Sequence, residues 1–491
     1  MKCCELDRDP EPGPGAPCLI NGFALACQAC IAAGKPIEER DQRLQPNRDP
    51  QRANLTPERV VSAALSIAGV GFVIVATAHG QTSYQTIKRL TDLGSNPTAL
   101  IEGKDRNLYG TMQDGGSKWE GVVFKVNRDG RDYKALHNFT GYRNGEDGSW
   151  PQGVIEGSDG ALYGTTQVGG RPGGAEYPTG SGTVFKLNKD SSGYSVLHRF
   201  PAVSGDGIAP WAGLVEGLDG ALYGTTLEGG TNNLGTVFKV SKDGGGYAVL
   251  HDFLGSETDG CRPMAGLLAS SDGTLYGTTD SGGSGIGHNG TVFRLKLDGG
   301  GLKILHSFPD KPGDGRMPRS TLLEGRDGLL YGTTQSGGTN DAGTVFRLDK
   351  DGGGYQVLHS FTGSLGLKPD PEGLVSGVMN GVVTRFSDEG DGSGPTGLTQ
   401  GRDGVLYGTT EHHGKNGGGT AFKLNIDGSA FIILHNFPAT EGDGQNPSKS
   451  PVQGSDDAFY GMTKTSSTNN FATLFRLSLP VSRPTPPPAS K

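Results

Sequence analysis

The motif LYGT, or a close variant, occurs seven times, with its tyrosine at 109, 163, 223, 276, 331, 407 and 460, at separations of 54, 60, 53, 55, 76 and 53 residues. A period of this size restricts a chain to repeat architectures, because one such unit cannot bury its apolar face alone. Each unit holds four short runs rich in β-branched and aromatic residues; in the third unit they are Gly213–Gly217, Ala221–Thr226, Gly235–Val240 and Tyr247–Phe253. Leu218-Asp-Gly220 joins the first pair and Ser241-Lys-Asp-Gly-Gly-Gly246 the last, and Asp and Gly are the residues that tight hairpins need at positive φ. Four antiparallel strands per unit make a propeller blade.

The ends of the array carry a complementary defect. The first three kinds of strand each occur seven times between Ala99 and Leu477, whereas the first copy of the fourth kind, Tyr84–Leu90, precedes every other strand, and the last unit stops at its third, Thr473–Leu477. Pairing these ends closes a ring and removes the exposed sheet edges of an open array. The sequence therefore predicts an all-β fold, a seven-bladed β-propeller over residues 84–478 whose last blade is completed by the N-terminal strand. A parallel β-solenoid would need neither four hairpin-linked strands per unit nor this defect.

The recurring LYGTTxxGG…GTVFKL…YxVLHSF resembles the GloVer (Gloeobacter/Verrucomicrobium) repeat, and the resemblance covers all seven units. It implies a tandem array in exported bacterial proteins and a surface or secreted setting. It carries over no activity, and two departures, the C-terminus without a recognisable anchor and the long leader, leave cell attachment open.

Residues 1–59 differ from the rest: Cys3, Cys4, Cys18, Cys27 and Cys30 fall here, and Cys27-Gln-Ala-Cys30 has the spacing of half a zinc site with no second half. This stretch is expected to be a disordered leader or one created by a start codon placed too far upstream. Val60–Ala78 is uncharged and ends in Ala76-Thr77-Ala78, which predicts a secretory signal peptide cleaved after Ala78; an uncleaved anchor helix is the alternative. Only Cys261 lies beyond it, so no disulfide framework is expected. Pro480–Lys491 reads as an extended Pro-rich tail. Gly and Pro, 85 and 29 of 491 residues, stay below the level of low-complexity chains. A net charge of −8, with no basic cluster beside aromatic residues, argues against a nucleic-acid partner. A monomer is expected, with membrane contact only through an uncleaved 60–78 segment.

Alternating strands place the second-to-third-strand loops and the blade-to-blade loops on one face, the candidate binding surface. Trp119, Trp150 and Trp211 fall in or beside these loops, where exposed indoles would stack on sugar rings or a protein partner; filling gaps between blades is the structural alternative. An insertion of the sixth unit places Asn380-Gly381 between two apolar runs, a hairpin signal and a second binding candidate. Asp147, Asp206, Asp259, Asp314, Asp391 and Asp443 recur before Gly, as calcium ligands or, the commoner use of Asp-Gly, as turn residues. No other cofactor is expected.

Six histidines, among them His198, share one slot of the fourth strand; strict alternation puts His198 with Tyr194, Val196 and Phe200 on an apolar face packed on the next blade, as a hydrogen-bonded structural residue. Glu102, Glu156, Glu216 and Glu324, with Gln400 and Gln453, end the first strands, either as solvated residues or as a carboxylate ring for a cation. Blade symmetry is otherwise broken at His412-His413. No catalytic residue can be assigned: G-x-S-x-G, H-E-x-x-H and P-loop patterns are absent. Three functional classes follow: an exported module binding a glycan or surface protein, a glycoside hydrolase or polysaccharide lyase acting at the channel mouth, and a structural envelope component.

Overall fold

The computed structural model describes residues 82–90, 94–141, 146–170, 180–201, 204–255, 259–284, 287–309, 311–363, 374–379, 382–387, 390–467 and 471–480. The leader, the apolar segment 60–78, the tail beyond 480 and the turn residues Asn380 and Gly381 lie outside them. Seven antiparallel sheets form the ring of a β-propeller, and among the described residues there is no helix. In the first blade the strands run, from the axis outward, Pro97–Glu102, Leu108–Met112, Val122–Val126 and Lys134–Asn138. The last blade consists of Val452–Gln453, Phe459–Ser466 and Thr473–Ser478, and its outermost strand is Ser83–Arg89. That strand pairs antiparallel with the C-terminal one, Tyr84 opposite Leu477 and Arg89 opposite Thr473, so the two ends of the array close the circle.

The core lies between blades rather than within them. Tyr163, Val184 and Phe200 of the second blade, for example, pack with Leu214, Leu222, Phe238 and Val240 of the third. The glycine of LYGT is required there: a Cβ on Gly224 would stand 2.5 Å from Phe238 Cζ, which covers it from the adjacent strand. The tight hairpins are fixed alike in every unit. Asp219 accepts the Tyr223 hydroxyl at 2.7 Å and the Ala221 N–H at 3.2 Å, and Gly220 turns at φ 77°.

Two features depart from the sequence reading. Every outer strand carries a bulge, as at Leu250, where His251 faces Val237 but Val249 faces Phe238. The bulge leaves His198 on the face expected, against the next blade, but separates it from Tyr194 and Val196: Val196 pairs with Phe185, which packs against the first blade, whereas His198 pairs with Val184, which packs against the third. Tyr194 therefore faces back and His198 forward. The first strands of blades three to five are also split, and short ribbons such as Gly207–Ile208 with Glu228–Gly229 pair beside them. The sixth-unit insertion contains the hairpin Leu374–Met379 with Val382–Ser387.

Candidate functional site

The recurrent histidines and aspartates form latches between blades. His137, His198, His359 and His435 each direct Nε2 at the aspartate in the loop to the next blade, at 3.0 Å to Asp147, 3.0 Å to Asp206, 2.8 Å to Asp391 and 3.1 Å to Asp443. His251 stands 3.4 Å from Asp259 and His306 3.7 Å from Asp314. A tyrosine from the following blade lies flat on the ring: Tyr194 on His137 with centroids 3.8 Å apart, Tyr247 on His198 at 3.5 Å and Tyr355 on His306 at 3.6 Å. The hydroxyls of Tyr247, Tyr355 and Tyr84 donate to Asp206, Asp314 and Asp443, and that of Tyr194 to the Asp147 carbonyl at 2.5 Å. Phe431 takes the stacking role on His359, and Asp391 there accepts the N–H and hydroxyl of Thr362. Burial pushes the carboxyls of Asp147, Asp314, Asp391 and Asp443 up, but the histidine beside each and the hydrogen bonds from their other donors hold each below its ordinary value. The six aspartates thus lie in six different junctions with their oxygens engaged.

The strand-end acids also bridge blades, and are neither solvated nor gathered at one point. Glu216 accepts from the N–H and Oγ of Ser158 at 2.8 and 2.6 Å and from Lys242 at 2.5 Å; Glu324 binds Ser271 and Lys350 in the same way, and its carboxyl is lowered to about 2. Glu102 accepts the Ser455 N–H at 2.7 Å across the closure of the ring.

On the loop-rich face a constant frame carries variable side chains. Each first strand enters through a proline preceded by a left-handed residue: Asn96, Trp150, Ala209, Arg262, Met317, Gly394 and Asn446, all with φ between 51° and 62°. Six of these donate their N–H to a loop carbonyl of the preceding blade, as Trp150 does to Glu120 at 2.9 Å. Their carbonyls accept from the residue that follows LYGTT, as Asn96 does from Gln113 at 2.9 Å and Arg262 from Asp280 at 3.0 Å. The residue after each proline (Thr98, Gln152, Trp211, Met264, Arg319, Thr396 and Ser448) lines a single cavity of ≈ 280 Å³ on the axis.

Charge at this mouth is uneven. Arg319 Nε meets Asp280 at 2.5 Å and its guanidinium also reaches Gln335; Lys464 pairs with Glu411. On the other side, Gln113 and Gln152 donate to Gln167 Oε1 at 3.2 and 3.1 Å. The sequence reading missed these charged positions; the signal available was variation at one slot beside the unvarying LYGTT. Of the three tryptophans, Trp211 reaches the cavity, Trp119 stands 61% exposed in a first-blade loop, and Trp150 opens the first strand of the second blade; no ring pairs with any of the three indoles among the described residues. His412 Nδ1 accepts from Asn446, and His413 Nδ1 shares a 2.5 Å bond with Ser393 Oγ; burial, then His412, lowers the His413 pKa. Among the described residues no group of three or more His, Cys, Asp or Glu converges as a metal site.

A ring of seven like blades, alike in its latches and different at one mouth, defines a β-propeller built as a repeat scaffold. The chain belongs to the Gloeobacter/Verrucomicrobia repeat family, whose family model matches residues 65–205, 173–393 and 376–485. No curated protein matches it in sequence. Among solved structures it is similar to the extracellular domain of BT3049, a candidate hybrid two-component system of B. thetaiotaomicron, with a TM-score of 0.50 and 11% identity over 80% of this chain and 41% of that one. The chain therefore spans about two fifths of that domain's length. It is also similar to an oligogalacturonate lyase in complex with manganese, with a TM-score of 0.49 and 11% identity over 82% of this chain and 97% of that one. At such identities the likeness is one of fold.

Proposed function

We propose that this protein is an exported binding module that holds a glycan at the channel mouth of its loop-rich face. One observation carries the reading: the units repeat their hairpins, and six junctions repeat the histidine–aspartate pair, yet the residues after each proline differ almost completely where they line the cavity. Amides of Gln113, Gln152 and Gln335 match hydroxyl pairs of a sugar, and the Trp211 indole supplies an apolar platform for its ring. Asp280 and Glu411 are held by cations, which suits counter-ions better than a proton-transferring pair. The apolar segment 60–78 with its Ala-Thr-Ala end supports export.

The test is a panel of neutral and acidic oligosaccharides titrated against the full chain and read for both affinity and product release. Binding weakened at least about tenfold by Trp211→Ala is the expected result, a loss of about 1.4 kcal/mol. Release of shortened products would replace binding by catalysis, and affinity unmoved by Trp211→Ala would remove the site from the mouth.

A further inference from the structure

The slot two residues after the entry proline holds Ala99, Gly153, Ala212, Ala265, Ser320 and Gly397 in six blades and Lys449 in the seventh. Small residues let the first strands approach the axis, so a lysine here extends into the space they leave. Lys449 lines both the mouth cavity and a second one of ≈ 250 Å³ deeper along the first strands, between Ser320 and Gly397. Its side chain is exposed to the channel. Its backbone is fixed, its carbonyl accepting the Thr409 hydroxyl at 3.0 Å, but among the described residues its ammonium has no partner.

The neighbouring charges are already matched. Arg319 is bound to Asp280 and Lys464 to Glu411, which leaves three cations against two carboxylates. The surrounding strands, then Lys464, draw the Lys449 pKa down and Glu411 opposes them. From this arrangement we infer that Lys449 receives the anionic group, a carboxylate or sulfate ester, of an acidic sugar whose ring lies between Trp211 and the glutamine side of the mouth. The inference rests on the glycan reading and names its ligand class. A cavity of ≈ 280 Å³ is at the small end for ligand sites. It takes one ring, so the acidic residue is a chain end and the remainder of the glycan lies outside.

The experiment compares acidic oligosaccharides ending in a uronic acid or a sulfated hexose with neutral ones of matched length, by calorimetry on the full chain. Its variants are Lys449→Met and Lys449→Arg. At least one acidic arm should bind tenfold or more tighter than its neutral match; Lys449→Met should erase that preference and Lys449→Arg keep most of it. Which arm binds distinguishes carboxylate from sulfate. Acylation of Lys449 at neutral pH, followed by mass spectrometry, gives a readout independent of affinity and should be slowed by the acidic ligand alone. Equal binding of acidic and neutral glycans, or a preference that survives Lys449→Met, overturns the inference and leaves the glycan reading standing. No binding of either kind overturns both.

Discussion

Tyr84 lies flat on His435, with ring centroids 3.6 Å apart and planes 8° from parallel, and donates its hydroxyl to Asp443, 359 positions away. This is the same latch that joins consecutive blades, here between the sixth blade and the last, made by the N-terminal strand that completes the last blade. Tyr84→Ala should cost about 2–4 kcal/mol, somewhat less than deleting a fully buried aromatic ring, because Tyr84 is half-buried. Tyr84→Phe should cost about 1–3 kcal/mol, because it keeps the stack and deprives Asp443 of one donor. Urea unfolding monitored by tryptophan fluorescence separates the two variants.

Acid should loosen the ring at its latches. Asp147, Asp314, Asp391 and Asp443 each have a folded-state pKa below the ordinary 3.8. A carboxyl depressed by folding adds stability in full above its unfolded value, and loses it as pH falls below about 3.8 and through the folded value. The urea midpoint should therefore hold from pH 7 to 5 and drop toward pH 3, and Asp443→Asn should make that drop shallower.

The junction between the third and fourth blades keeps His251 beside Asp259 but lacks the glutamate clamp and the stacking tyrosine. Ala269 stands in the glutamate slot, Leu297 in the slot of Lys242, and Leu302 in that of the stacking tyrosine, all three packed on one apolar cluster. Glu216→Ala, at the preceding junction, should cost about 1–3 kcal/mol because three donors lose their acceptor. Ala269→Glu should gain nothing and lose up to about 1 kcal/mol, since no cation awaits it. Thermal denaturation of the two variants checks the asymmetry.

Calcium, if it bound the recurrent aspartates, would have to displace their histidine and tyrosine partners. Dialysis against a chelator should leave the melting temperature unchanged, and added calcium should not raise it. A shift of several degrees with calcium would assign the ion to these turns.

The blades and their closure were legible because LYGT marks phase and the unpaired strands at the two ends complement each other. The latches were only half legible. His198 and Asp206 each stood out as repeats, and His198 packs on the next blade as expected, but their partner Tyr247 belongs to the next unit, and the bulge at Leu197 moves Tyr194 and Val196 to the opposite face. The mouth was legible at Trp211 and silent at Lys449. A lone lysine among variable residues has no pattern, and its place is defined only when the seven first strands converge on the axis.

The central claim is that function resides where the blades differ. Hydrogen–deuterium exchange of the full chain, with and without the tightest-binding oligosaccharide, tests it most directly. Added protection should fall on the strand entries around Gln152, Trp211, Arg319 and Lys449, with the Asp-Gly hairpins of the opposite face unchanged. Protection confined to those hairpins, or spread evenly over all seven blades, would contradict the account.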